Sequence, residues 1–321
     1  MSAAINPPVL NRGVTNTQSE VSPVNELLVI PDNTIIVDWL SVSITTSGIS
    51  YQHIIELLGM SACNWLLKEG SFRQYAQRLE WGKITIHFTS AEYESIPDSS
   101  FNTGCLLEMS GQGCREYESF GRGDWALLIH GFIELRQAGV DVRFTRIDIA
   151  YDDFHCLLPI ETIAMQAQKL EFTAIPKMCS VTYSMDKHDI DHIGQSIVHG
   201  SRSSNTLLRI YNKRVERKRY DLPHWVRAEL QLRRESAERF LELAAFGDFA
   251  GLGDLFAGIV RKYIQYRIPN YDDNSARWPL APWYDSWLLD VERISLWTKK
   301  DVEYNKSRMD SYAYTQNYRH N

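Results

Sequence analysis

Two β-branched runs, each with an aspartate near its centre, most constrain the fold of this chain. The first is TIIVDWLSVSI, which contains Asp38, and the second is VRFTRIDIAYDD, which contains Asp148. Both runs predict strands, because β-branched residues in near-alternation with polar ones are typical of strands. A helical pattern and several strand-like segments follow each run. The chain is therefore predicted to be α+β, with a mostly antiparallel sheet built from two pseudo-repeated αβ halves and a helical C-terminal part.

The elements between these runs are predicted from periodicity and turn residues. In the first half we expect a helix over 51–67, strands over 83–88 and 105–109, a tight turn in SGQGCREYESFG and a helix over 124–138. In the second half we expect a helix over 159–170, followed by the strands SVTYSM, QSIVHGS, TLLRIYNK and VRAELQLR.

Composition divides the chain into four segments. Residues 1–30 predict a flexible leader, 31–140 an N-terminal α+β half, 141–240 the half with the candidate site, and 241–321 a helical and aromatic C-terminal segment. The chain has neither an apolar run of membrane-spanning length nor the pattern of a signal peptide. Its five cysteines form no CxxC pair. A reducing cytoplasm is the expected location, without a membrane partner.

The charges are unevenly distributed along the sequence. The whole chain carries −6, yet the stretch from Arg202 to Arg239 has eleven basic and five acidic residues. This stretch is therefore +6 and the remainder −12. A basic island on an acidic body predicts one face that contacts phosphate, although a solvated helix face with paired charges would give the same counts.

Three strand-like strings gather chemistry-bearing side chains, because alternate residues of a strand share one face. The residues that share faces are Arg146, Asp148 and Ala150 in the first string, Arg227, Glu229 and Gln231 in the second, and Arg209, Tyr211 and Lys213 in the third. At the end of the first string, Asp152 and Asp153 add two carboxylates near the mouth of any cleft.

If these strands are adjacent, Asp148 and Glu229 would face a phenol, Tyr211. Carboxylate oxygens suit Mg²⁺ or Mn²⁺, and a phenol beside such a metal can attack a phosphodiester. This chemistry is that of a nickase which forms a phosphotyrosine link. The alternative is a solvent-facing sheet stabilised by cross-strand salt bridges.

Other motifs are weaker candidates. His188 and His192 lie four residues apart in KHDIDHIG, which predicts a hydrated loop between strands rather than a metal site. The SGQGC string lacks the basic residue of a phosphate-binding loop. The aromatic residues of WYDSW are expected in the core rather than on a base-stacking surface.

Several strings, in order along the chain, resemble the replication initiation factor family, the Rep-trans type of rolling-circle initiators of plasmids and filamentous phages and of related relaxases. They are VDWLSVSI, LLEMSGQGCREYE, RIDIAYDD, GSRSSNTLLRIYNKRVERK, HWVRAELQLR and RWPLAPWYDSWL. The resemblance implies an enzyme that binds origin DNA, cuts one strand with a tyrosine and stays linked to the 5′ phosphate. It also implies a divalent metal, Mg²⁺ or Mn²⁺, a homodimer and a helicase partner.

The resemblance also implies roles for individual residues. The implied metal ligands are Asp148 and Glu229, assisted by Asp152 and Asp153. Arg209 is the implied phosphate contact, and the basic island adds the predicted DNA contacts Arg202, Arg214, Arg217, Lys218 and Arg227. Lys213 is expected beside the reacting phosphate.

The nucleophile is the least constrained of these assignments. Relatives commonly carry Tyr-x-Gly-Ser-Arg, and this chain has Val198 in the place of that tyrosine. Tyr211 is therefore the predicted nucleophile, and Tyr183 lies on a nearby predicted strand. Two alternatives remain: a non-catalytic DNA-binding repressor or accessory origin binder of the same fold, and an RNA-binding or structural protein whose basic island serves assembly.

Overall fold

The computed structural model describes residues 30–45, 49–90, 104–186 and 189–293 of the 321-residue chain. The predicted leader therefore lies outside the described residues, apart from Ile30, and so does His188. The remaining described residues, from Asp32 onward, belong to one compact unit.

Ten antiparallel strands form one sheet in the order β2-β3-β4-β5-β1-β6-β11-β10-β9-β8. Their bounds are β1 Thr34–Ile44, β2 Leu66–Phe72, β3 Tyr75–Trp81, β4 Ile84–Phe88, β5 Cys105–Met109, β6 Val142–Asp153, β8 Cys179–Asp186, β9 Asp189–His199, β10 Thr206–Asn212 and β11 Val226–Arg233. Two short strands, β7 Phe172–Ala174 and β12 Ile264–Tyr266, pair separately.

The described chain contains eight α-helices, and a short 3₁₀ helix at Ser275–Arg277. The α-helices are α1 Tyr51–Leu58, α2 Gly111–Phe120, α3 Trp125–Gln137, α4 Ile160–Gln168, α5 Lys213–Glu216, α6 Glu235–Phe246, α7 Leu252–Tyr263 and α8 Pro282–Arg293. None of these helices has the length and apolarity that crossing a membrane requires.

The topology repeats, as the two aspartate-centred runs predict. In the first half, β1 is followed by α1 and by four strands, the last of which, β5, pairs with β1. In the second half, β6 is followed by α4 and, in the large sheet, by four strands, the last of which, β11, pairs with β6. β1 and β6 pair with each other in the middle of the sheet. The α+β class and the antiparallel sheet are thus confirmed.

One face of the sheet is apolar and packs against helices. In β6, Ile147, Ile149 and Tyr151 are fully buried on this face, where α3 and α6 contact the strand. α4 covers β8, β9 and β10 in the same way. Burial of each such side chain is worth about 1.5–3 kcal/mol, so the helices fix which side of the sheet remains for polar residues.

Three local predictions are wrong. α1 ends at Leu58 because Gly59 adopts a left-handed conformation (φ 70°) that closes the helix; residues 66–72 then form β2. SGQGCREYESF is a helix rather than a turn. Gly113 permits this close packing, since a Cβ there would lie 2.4 Å from the Lys83 carbonyl oxygen. Residues from Asp189 onward form β9 rather than a loop.

The aromatic C-terminal string lies in the core, which confirms that interpretation of WYDSW. Trp287 and Tyr284 of α8 are fully buried. Tyr284 donates a hydrogen bond to the Ile264 carbonyl oxygen at 2.6 Å. Tyr266 lies beside both Trp283 and His199, and its hydroxyl is 2.8 Å from His199 Nε2. These contacts anchor the C-terminal helices to the edge of the second half.

Candidate active site

The opposite face of the central strands carries the polar side chains that the alternation predicts. β10 and β11 pair so that Arg209 lies opposite Glu229 and Tyr211 opposite Arg227. β11 and β6 pair so that Gln231 lies opposite Asp148. The predicted adjacency of the three strings is therefore present, and Asp148, Glu229 and Tyr211 lie on one face.

A β-bulge in β1 adds a residue that the site prediction does not include. Val37 pairs with Ile149 and Trp39 with Asp148, which leaves Asp38 as the extra residue. Bulges re-aim side chains next to active sites. Here the bulge turns Asp38 to the polar face, where its carboxylate contacts a guanidinium of β11.

That guanidinium belongs to Arg227, which is 5% exposed. Its Nε and Nη2 donate to both oxygens of Asp152 at 2.7 Å, and its Nη1 donates to Asp38 Oδ2 at 2.9 Å. Burial alone would lower the pKa of Arg227, but the two carboxylates raise it well above its ordinary value. Arg227 is therefore a permanently charged link between β1, β6 and β11.

The hydroxyl of Tyr211 lies between an acid and an amine. It donates to Glu229 Oε2 at 3.2 Å and accepts from Lys213 Nζ at 3.1 Å. Lys213 also donates to Glu216 at 2.9 Å. The guanidinium of Arg209 stacks on the Tyr211 ring, 3.7 Å from its centroid. Burial, foremost, raises the pKa of Tyr211 well above its ordinary value.

Three carboxylates on this face influence one another. Burial raises the pKa of Glu229, and Asp148 and Asp38 raise it further, against the lowering effect of Arg209. Burial likewise raises the pKa of Asp148, although Arg146 and Gln231 donate to it. Glu229 lacks a salt bridge within the described residues and is hydrogen-bonded by a phenol, so it is the least neutralised carboxylate of the three.

These groups line an open cleft of about 300 Å³. Its lining residues come from both halves of the chain: Asp38, Lys83, Ser110, Gly111 and Gln112 from the first, and Arg209, Tyr211, Lys213, Glu216, Arg217 and Glu229 from the second. The start of α2 comes very close to Asp38, since a Cβ on Gly111 would lie 2.5 Å from Asp38 Oδ1.

A second cavity of about 350 Å³ lies on the same face, over β8, β9 and β10. Its lining residues are Ser180, Thr182, Ser196, Val198, Gly200, Arg202, Leu207 and Arg209. Arg209 belongs to both cavities and separates them. Val198, which stands where relatives commonly have a tyrosine, lines this second cavity.

Two of the predicted metal ligands are bound by protein donors. Asp152 is occupied by Arg227 and by Trp225 Nε1, which donates at 2.7 Å. Asp153 lies on the opposite side of β6 and accepts from His224 Nε2 and the Leu158 amide at 2.9 and 2.7 Å. Burial disfavours ionisation of Asp153, yet these donors hold its pKa below its usual value.

The predicted DNA contacts are in different environments. Arg202, Arg217 and Lys218 are exposed, and the first two line the cavities. Arg214 donates to the Leu222 carbonyl oxygen, which ties down the loop before β11. Arg227 is buried in ion pairs, although the sequence pattern does not distinguish it from the exposed arginines.

The polar face offers few ligands for a divalent ion. Within the described ranges, no group of three or more His, Cys, Asp or Glu side chains is arranged to hold a metal. Asp38 and Glu229 nevertheless both line the cleft. Two carboxylates fit Mg²⁺, which keeps several waters and takes further ligands from substrate phosphates.

Sequence reasoning missed Asp38 and the start of α2 as parts of the site. A signal for Asp38 exists, since IVDWL and RIDIA place an aspartate at corresponding points of the two halves. The contribution of Lys83 and Gly111 has no comparable signal, because it depends on how the halves pack.

Comparisons with known proteins give matches over both halves of the chain. Residues 142–318 match the family described as "Replication initiation factor", and residues 34–127 match "Rolling Circle replication initiation protein N-terminal domain". A Bacillus subtilis (strain 168) protein assigned as the DNA relaxase NicK is 30% identical over 311 residues, covering 94% of this chain and 83% of the relative. The solved rolling-circle replication initiator protein from Geobacillus stearothermophilus is 28% identical, with a TM-score of 0.72, over 83% of this chain and 99% of that one.

Proposed function

The chain belongs to the replication initiation factor family, and on this premise we propose that it initiates rolling-circle replication by nicking one strand of origin DNA in the cleft at Tyr211. One observation carries the proposal: the Tyr211 hydroxyl lies on the wall of an open polar cleft, between Glu229 and Lys213. A nucleophile that has a base and a cation within hydrogen-bond reach provides the groups that phosphoryl transfer to a phenol requires.

The chemistry follows from these contacts. Glu229 accepts the phenolic proton as the Tyr211 oxygen attacks phosphorus, because its Oε2 already accepts a hydrogen bond from that hydroxyl. A Tyr–O–P bond forms, the bond from phosphorus to the 3′ oxygen breaks, and the leaving oxygen takes a proton from solvent. Lys213 and Arg209 offset the charge on the phosphoryl oxygens. Reversal of this step rejoins the strand.

A divalent ion would be held by Asp38 and Glu229. When bound, Mg²⁺ or Mn²⁺ supplies Lewis-acid polarisation of the phosphate. Among the ligands implied by the resemblance, Asp148 does not line the cleft and is paired with Arg146. It is a supporting charge in this proposal. Asp152 and Asp153 hold Arg227 and His224 instead.

The DNA would be held by cations around the cleft. Arg202, Arg209 and Arg217 line the two cavities, and Lys83 adds a cation from the first half. Cations at this density suit the phosphates of a strand that crosses the polar face. A homodimer and a helicase partner remain predictions from the resemblance.

A second candidate function is binding to origin DNA without cleavage. Two observations favour it: Val198 stands in the place of the tyrosine that relatives commonly carry, and Tyr211 is only 4% exposed. In this alternative the buried phenol is a structural hydrogen-bonding group, and the cleft binds phosphate.

A supercoiled plasmid that carries the DNA flanking this gene distinguishes the two functions. With Mg²⁺ or Mn²⁺, the nickase produces relaxed circles with protein on the 5′ end, and Tyr211→Phe produces none. Tyr183→Phe is the matched control, because Tyr183 lies on the helix-covered face of β8 and contacts Gln168. A mobility shift without relaxation, in parent and variants alike, would leave only the binding function.

Metal dependence is tested in the same assay. Asp38→Asn and Glu229→Gln are expected to raise the Mg²⁺ concentration needed for half-maximal nicking about tenfold or more, since each removes an anionic ligand. Glu229→Gln should also lower the maximal nicking rate, since it removes the base. Asp153→Asn should leave that concentration unchanged. An equal effect of all three substitutions would place the ion elsewhere.

A further inference from the structure

The second cavity is a trough on the face of the sheet, lined by side chains. Its floor is formed by alternate residues of three adjacent strands: Ser180 and Thr182 of β8, Ser196 and Val198 of β9, and Leu207 and Arg209 of β10. Ser180, Thr182 and Ser196 contribute hydroxyl groups, and Val198 and Leu207 contribute aliphatic side chains. We refer to this surface as the β8–β10 trough.

Arg209 stands at the border between the trough and the cleft, opposite Glu229 in the β10–β11 pair. Within the described part of the chain it forms no salt bridge, and its Nε is buried without a hydrogen-bond acceptor. A buried guanidinium donor left unsatisfied costs free energy that a ligand can recover. Stacking on the Tyr211 ring holds the guanidinium plane in place, so its donors are fixed between the two cavities.

The spacing of the strands relates the trough to the nucleophile. Val198 pairs with Arg209 and Ser196 with Tyr211. The trough therefore begins on the strand of Tyr211, at Arg209, and extends across β9 to β8, about 5–10 Å from β10. A DNA strand with its reacting phosphate at Tyr211 would place its neighbouring nucleotide over the trough.

We propose that the β8–β10 trough binds one unpaired nucleotide of the DNA strand, adjacent to the phosphate at Tyr211. Arg209, which lies between the two cavities, contacts that phosphate. The inference rests on the proposed function, because that function places the reacting phosphate at Tyr211. It does not require that the strand is cut. The apolar side chains of Val198 and Leu207 contact the sugar or the base face, and the hydroxyls of Ser180, Thr182 and Ser196 contact the polar groups of the nucleotide. The small size of Val198 provides the room.

The test measures binding to single-stranded DNA in EDTA, where cleavage is suppressed. The probe is a fluorescein-labelled thymidine oligomer of about 12 nucleotides, within the site size of single-strand binders, and affinity is read by anisotropy. Val198→Trp fills the trough and should weaken binding about 5- to 100-fold. Tyr183→Trp adds bulk to the other face of β8 and should bind like the parent. Binding of a mixed-sequence duplex should be unchanged by either substitution.

The Arg209 part of the proposal has its own readout. Arg209→Ala should reduce the slope of log Kd against log salt for the oligomer by about 0.7, the contribution of one phosphate on a single strand. Arg277→Ala, which removes an exposed arginine from the 3₁₀ helix, should leave the slope unchanged. This measurement also decides the matter if Val198→Trp does not fold, as judged by circular dichroism.

Three results would overturn the inference. They are parental oligomer affinity in folded Val198→Trp, an unchanged salt slope in Arg209→Ala, and free thymidine monophosphate binding as tightly as the oligomer, which would indicate a small-molecule site. Failure of the proposed function looks different: the parent binds the oligomer in a Val198-dependent way but does not relax plasmid when Mg²⁺ is supplied.

Discussion

The link at Arg227 predicts a large and specific loss of stability when its guanidinium is removed. Arg227→Met keeps much of the side-chain volume but eliminates three hydrogen bonds of 2.7, 2.7 and 2.9 Å. Asp152, which is 4% exposed, then retains one donor, Trp225. Breaking a buried ion pair by removing one partner costs about 3–5 kcal/mol, and we expect the free energy of unfolding to fall by that amount.

Denaturant unfolding followed by circular dichroism measures this loss. Arg143→Met is the matched control, because Arg143 also makes a two-bond pair with an aspartate, Asp141, and lies on the same strand as Asp152, but on the surface. Its loss should be much smaller. The double variant Arg227→Met/Asp152→Asn should recover part of the stability, since the stranded charge is gone.

The same pair of variants tests whether Arg227 contacts DNA, as the sequence predicts. Arg227 is buried, and three of its five N–H groups donate to the two carboxylates, so Arg227→Met should keep the parental salt dependence of DNA binding. The reasoning is refuted if Arg227→Met loses no more stability than Arg143→Met and also reduces the salt slope of DNA binding. The guanidinium of Arg227 would then be available to solvent.

Further predictions concern pH and close packing. Burial lowers the pKa of His199 to about 3, so between pH 6.5 and 3 the unfolded chain binds a proton that the folded chain does not. Stability should therefore fall as pH drops below about 6.5, by up to ~1.4 kcal/mol per pH unit. His199→Gln should make the denaturant midpoint less dependent on pH over that range. Gly82→Ala should cost more than ~1 kcal/mol, seen as a lower Tm, because φ is +57° and its Cβ would lie 2.3 Å from Glu116 Oε2. Gly111→Ala should reduce plasmid nicking about tenfold or more through displacement of Asp38, with Tm nearly unchanged; parental nicking would contradict the place of Asp38 in the site.

The parts of the fold that follow from local patterns are predictable from the sequence. β6 spans Val142–Asp153, the bounds of its predicted run, because β-branched alternation specifies both a strand and its faces. The same alternation places Glu229 and Tyr211 on one face once β10 and β11 pair. The C-terminal aromatic core follows from composition and helical spacing.

The rest depends on contacts between distant residues. Asp38 reaches the cleft through a bulge that exists only where β1 pairs with β6. The burial of Arg227 follows from two aspartates on different strands, so its sequence neighbourhood resembles that of the exposed arginines. β2 was missed because its string, LLKEGSF, does not alternate, and pairing with β3 is what makes it a strand.

The central claim is that the Tyr211 phenol becomes the covalent link to DNA. The most direct measurement is mass spectrometry of the protein after reaction with Mg²⁺ and the nicked origin strand, followed by nuclease and trypsin digestion. The claim predicts a phosphonucleotide mass on the tryptic peptide that runs from Ile210 to Lys213, which contains one tyrosine. A nucleotide adduct on any other peptide, or efficient nicking without an adduct, would contradict it.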